Sequence, residues 1–93
     1  MKPFHTLHIL NKRPGHPGFK SCLSCLESRD ALLLTENGVL ALADKGLTLE
    51  GAVYALSADL VARAIPEDAS IANVIDYDEM VALTIRANRV ISW

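Results

Sequence analysis

Apolar and polar residues fall into short, punctuated blocks along this chain. Phe4 to Leu10, with Phe4, Leu7 and Ile9 among its apolar positions, predicts a first strand. Asn11 to Gly18 carries two prolines and two glycines and predicts a loop. From Phe19 to Glu27 the apolar residues Phe19, Cys22, Leu23 and Leu26 recur at spacings of three and four, the period of a helix.

Ala31 to Leu34 is continuously apolar, as strands buried on both faces are. Glu36-Asn37-Gly38 then turns the chain, with Gly38 expected to supply a positive φ. Asn-Gly between apolar runs is also a hairpin signal. The other continuation is a short helix over Val39 to Ala43, and it is the expected one because Ala and Leu favour helix over strand. Gly46 breaks the chain before a strand over Ala52 to Leu56. Ser57 is placed to cap the next helix, with Asp59 at its positive end, Arg63 at its negative end and Pro66 beyond its close.

A fourth strand is expected over Ile71 to Ile75. Asp76 and Glu79 have capping-box spacing. Met80, Val81, Leu83, Thr84 and Ile85 form the expected apolar side of the following helix, Asn88 suits its end, and Val90 to Trp93 makes a last strand. Strand and helix thus alternate five times. The expectation is one α/β domain, residues 1–93, with a mostly parallel, flavodoxin-like five-stranded sheet and helices on both faces.

Composition sharpens this picture at one point. Hydrophobic residues make up 51% of only 93 positions and charged ones 22%, which excludes a disordered tail. So short a chain buries only about two-thirds of its surface, so more apolar surface is present than a small core easily hides. Nine basic against eleven acidic residues give a net charge of -2, against direct binding of nucleic acid. No apolar run approaches the ~20 residues of a membrane span. The amino-terminal residues lack an apolar leader, so a cytoplasmic location and reduced cysteines are expected.

Cys22-Leu23-Ser24-Cys25 is the most reactive-looking feature. In a βα context a CxxC invites a dithiol redox reading, and a helix amino terminus or a cation such as Lys20 would stabilise thiolate. Phe19, Lys20 and Ser21 already occupy the first turn, however, and a free cysteine is a common core residue. Zinc is the next candidate, from His5, His8 and His16 with the two cysteines. His5 and His8 point to opposite sides of a strand and the usual paired spacings are missing, so no metal site is expected, with His16 solvated in its loop. Glycine-rich nucleotide loops and a nucleophile elbow are absent from the sequence, so no cofactor is expected either. Asp59, Asp76, Asp78 and Glu79 read as caps or first-turn acids, and Arg63, Arg86 and Arg89 as solvated or ion-paired.

Several segments, in order and spacing, resemble one family. They are His5-Thr6-Leu7-His8, Leu32 to Val39, Val53-Tyr54-Ala55-Leu56, Asp59 to Arg63, Val74-Ile75-Asp76-Tyr77 with Val81, Leu83 and Thr84, and the terminal Trp93. Together they look like the TusB/DsrH family of sulfur-relay proteins. The resemblance implies a DsrE-like α/β fold and a subunit role. It implies partners too, TusC-like and TusD-like chains in a heterohexamer with two copies of each. Such a complex takes persulfide sulfur from TusA and passes it to TusE for 2-thiolation of the tRNA wobble uridine.

The related DsrEFH complex, built alike, serves sulfur oxidation. In both branches the principal sulfur-carrying cysteine belongs to the TusD/DsrE subunit. Cys22 falls where DsrH-type members can carry a cysteine, which makes it a candidate persulfide carrier, whereas Cys25 has no counterpart. The expectation is therefore a non-catalytic relay subunit whose apolar excess lies on its partner faces. The competing reading is a stand-alone thiol oxidoreductase or sulfurtransferase using Cys22 and Cys25.

Overall fold

Alternation of short apolar runs with helical segments produces a sheet in which every pairing is parallel. The computed structural model describes residues 2–67 and 71–93. Its elements are β1 (Phe4–Leu10), α1 (Pro17–Cys25), β2 (Ala31–Leu34), a 3-10 helix (Glu36–Ala43), β3 (Ala52–Leu56), α2 (Ser57–Ala62), β4 (Asn73–Ile75), α3 (Tyr77–Ile85) and β5 (Ala87–Ser92). The strand order is β4-β3-β2-β1-β5.

That order dictates the layers. From β1 to β4 each connection steps one place in the same direction, and right-handed crossovers put their helices on one face. The β4-to-β5 connection returns across β3, β2 and β1, so α3 lies on the opposite face. The class is the doubly wound α/β one. Its direction reverses only at the last strand, where flavodoxin's order 2-1-3-4-5 reverses early.

Two apolar cores result. Leu10, Leu32, Leu34, Val53 and Ala55 meet Phe19 and Cys22 of α1, Val39 and Ala41 of the 3-10 helix, and Leu60 of α2. On the other face Leu7, Ala31, Leu33 and Ile75 meet Leu83 of α3 and Ala87, with Met80 partly buried beside them. Ala31 to Leu34 feeds both cores in alternation, which is why that run has no polar position.

Several local expectations change. α1 begins two residues early because His16 is its cap: Nδ1 accepts from the Gly18 amide at 2.9 Å, and Pro17 opens the first turn. His16 is thus a structural acceptor rather than a loop residue free in solvent. Gly38 does not have a positive φ; Glu36, at φ 47°, takes the left-handed position instead. Gly38 is required by sterics, since a Cβ there would lie 2.1 Å from the Leu10 carbonyl oxygen. The segment continues as the 3-10 helix and not as a hairpin strand.

Leu56 rather than Ser57 precedes α2; the Ser57 hydroxyl instead donates to Glu67 at 2.5 Å. β4 starts at Asn73, leaving Ile71 exposed, and Asn88 lies inside β5. The Asp76–Glu79 capping box forms as expected. Among the described residues no helix is long and apolar enough to cross a membrane.

Candidate functional site

The two cysteines of α1 are separated by burial. Cys22 is fully buried among Leu10, Phe19 and Leu34, and Cys25 is exposed. Spacing of three puts them on adjacent flanks of the helix, one turned to the sheet and one outward. Burial, then the neighbouring Cys25, pushes the Cys22 thiol up to about 12. A thiol that keeps its proton at neutral pH is a poor nucleophile. Cys25 borders a shallow depression with Pro17, Lys20, Ser21 and Ser24. Among the described residues no three His, Cys, Asp or Glu side chains converge as a metal site would require.

A buried polar network occupies the same face at β1. His8 Nε2 lies 2.9 Å from Asp30 Oδ2, and the Trp93 indole Nε1 lies 3.0 Å from His8 Nδ1. Indole N–H can only donate, so Nδ1 must accept and the ring proton sits on Nε2, donating to Asp30. The Trp93 ring stacks on His8 with centroids 6.1 Å apart. Asp30 Oδ2 also accepts from the Glu27 amide at 3.1 Å. Burial works against ionisation of Asp30, but the hydrogen bonds from His8 and Glu27 outweigh it and hold the carboxyl below its ordinary value. Alongside, Thr6 Oγ1 accepts from Arg89 Nε at 2.9 Å and contacts His5 Nδ1 at 2.9 Å.

Of the arginines expected to be solvated or ion-paired, Arg63 is ion-paired, and Arg86 and Arg89 have contacts the sequence did not disclose. Arg63 reaches Asn37 Oδ1 through Nε and Nη2 at 3.2 and 3.1 Å and pairs with Asp59. Arg86 lies over the Phe4 ring, 5.2 Å from its centroid. Asp59 accepts from the Glu36 amide at 2.7 Å, fastening the turn whose backbone is strained at Glu36.

The clearest surface feature is on α3. Leu83 is buried and Met80 half-buried, but Val81 and Ile85, expected on the apolar side, are exposed. With Tyr77 they form a stripe at spacing four, exposed by 57, 56 and 65% for Tyr77, Val81 and Ile85. The helix is apolar on two flanks, and a nine-residue helix over a sheet can bury only one of them. Val90 of β5, paired with Leu7, lies on the same sheet face and is also exposed. Sequence periodicity carried the signal in the 77-81-85 spacing, but it could not say which flank meets the sheet.

A cleft of about 520 Å³ opens between the end of α1 and the segment before β3, lined by Leu23, Leu26, Asp30, Leu32, Leu49 and Glu50. It lies at the amino-terminal ends of β2 and β3. In open α/β sheets ligands bind at the opposite, carboxyl ends.

Known proteins match this chain along most of its length. The model of the DsrH like protein family matches residues 14–90. Proteins named TusB from Escherichia coli, Shigella boydii and Escherichia fergusonii are each 35% identical to it over 94 residues, spanning 94% of this chain and 99% of theirs. The chain belongs to the TusB/DsrH family. A protein of Thermotoga maritima solved by NMR in solution shares the fold, with a TM-score of 0.67 and 30% identity over 86% of this chain and 91% of that one. The stretch matched by the family model contains both cysteines and the α3 stripe; His8 and Trp93 lie outside it.

Proposed function

We propose that this chain is a non-catalytic subunit of a TusBCD-type sulfur relay, one domain that works in the cytoplasm beside TusC-like and TusD-like chains. The complex would pass persulfide sulfur from TusA to TusE for 2-thiolation of the tRNA wobble uridine. The observation that carries this reading is the 35% identity to TusB proteins over 94% of the chain. The exposed Tyr77-Val81-Ile85 stripe supports it, because apolar patches on such domains mark partner surfaces.

In this reading the sulfur rides on the TusD-like partner. Cys22 is a packing residue, with a thiol buried and protonated, and Cys25 is a surface thiol without a role in the relay. Co-expression with TusC-like and TusD-like chains, followed by the native mass of the product, tests the assembly. A stable product lacking this chain would defeat the reading. Mass spectrometry after exposure to a persulfide donor tests the division of labour: sulfur is expected on the TusD-like chain, and loading of Cys22 or Cys25 in the isolated protein would instead establish a stand-alone sulfurtransferase.

The match to the DsrH like family model favours a second reading, a subunit of a DsrEFH complex in sulfur oxidation. Genes for dissimilatory sulfite reductase beside this one would favour it, and their absence would favour tRNA thiolation.

A further inference from the structure

We infer that His8 is a proton-operated latch on Trp93: the neutral ring holds the indole down on the sheet, and the protonated ring releases it. The inference stands on the geometry of β1 and β5 and is independent of the sulfur-relay reading.

Among the described residues, three hydrogen bonds fasten Trp93, beside its ring contact with His8 and its apolar packing on the α1-side core. Its amide donates to the Ile9 carbonyl at 2.8 Å, its carbonyl accepts from Lys12 Nζ at 3.0 Å, and its indole donates to His8 Nδ1 at 3.0 Å. The first two do not involve the side chain. The indole N–H is bonded to one acceptor, the Nδ1 lone pair, and that lone pair is where a second proton on His8 must go. A proton taken from solvent makes Nδ1 a donor, and two N–H groups then face each other across 3.0 Å. The indole has to leave.

The Asp30 carboxylate lies 2.9 Å from Nε2, leaving Nδ1 as the ring nitrogen that faces the indole. His8 itself is 2% exposed. The other titratable or charged groups here are His5, 3.9 Å from Asp30 Oδ1, Arg89 on Thr6, Lys12 on the Trp93 carbonyl, and Cys22 of α1 in the apolar cluster that Trp93 covers. Histidine is the side chain whose charge changes in the physiological range. The consequence is a sheet edge that seals the α1-side core while the ring is neutral and uncovers it when the ring takes a second proton.

Because the chain has one tryptophan, the latch can be read directly. NMR of the full chain between pH 8 and 5 should show the indole N–H resonance and the His8 ring carbons moving with one midpoint, with tryptophan emission shifting to the red on the acid side. Asp30→Asn, which removes the carboxylate beside Nε2, should move that midpoint to lower pH. His8→Gln, which gains no proton, should abolish the indole transition. A static indole resonance while His8 titrates, a His8 that does not titrate in this range, or an indole transition unchanged in His8→Gln would each overturn the latch. The comparison of His8 with Trp93 in the unmodified chain decides the matter even where a variant fails to fold.

Discussion

On the face carrying α1, the 3-10 helix and α2, Leu10, Leu32, Leu34, Val53 and Ala55 all lie under helical cover, and a hydrogen-bonded polar network fills the space beside β1. On the other face α3 works alone: it buries Leu83 but leaves Tyr77, Val81 and Ile85 in water. The contrast follows from connectivity, since three of the four crossovers run in one direction and only the last returns. An excess of apolar residues in a small domain therefore need not spread evenly. Here Tyr77, Val81, Ile85 and Val90 gather it on the face that topology leaves short of helices, while on the covered side Val61 of α2 is exposed singly, and the α3 face is the one a partner would complete.

If this contrast is right, the largest effect should come from the sealed face. Leu34→Ala removes a fully buried side chain and should cost about 2–5 kcal/mol in urea unfolding, whereas Met80→Ala, at a half-buried position of α3, should cost clearly less. Equal costs would mean that the α3 face is as tightly packed as the other.

Asp30 gives a pH-dependent test of the same face. Its folded pKa lies below the unfolded value of about 3.9, so its contribution is present above that value and is lost as pH falls through the folded one. Asp30→Asn should therefore be less stable than the parent at neutral pH, with the gap closing below about pH 4. Denaturant midpoints measured across that range check it, and a constant gap would remove the ionised carboxylate from the account.

On the sparse face, Asp76→Ala takes away the cap of α3 and should cost about 1 kcal/mol, seen as a lower melting temperature. The smallest change belongs to the stripe. Val81→Ser should move the stability of the isolated chain by less than about 0.5 kcal/mol, yet weaken recovery of the TusC-like and TusD-like chains in co-purification. A large loss of stability, or unchanged recovery, would show that the stripe is not a partner surface.

Much of the architecture could be read from local residues. Phe4 to Leu10 and Ala52 to Leu56 are strands with the expected bounds, and Asp76 with Glu79 caps α3, because each signal lies within a few residues. Features that depend on distant partners were not legible. Asp30 is 22 residues from His8 and Trp93 is 85, so neither histidine spacing nor strand period could disclose the network. His16 as a cap and Gly38 as a close contact needed the path of the backbone, in one case around Gly18 and in the other against Leu10. The cysteine pair was legible as spacing and as shared helix proximity; which thiol was buried was not.

The position of β1 between β2 and β5 has a consequence in time. β2 follows β1 within about one helix of chain, but Arg89 meets Thr6 only across 83 residues. During synthesis β1 therefore presents an unpaired edge until β5 has emerged, and closing it incurs the loop entropy of nearly the whole domain. Folding should be slow for a protein of this size, as parallel sheets with distant pairings are. A nascent chain stalled before β5 would offer neighbouring polypeptides a bare strand, so the pace at which β5 follows β1 bears on whether this protein folds or aggregates.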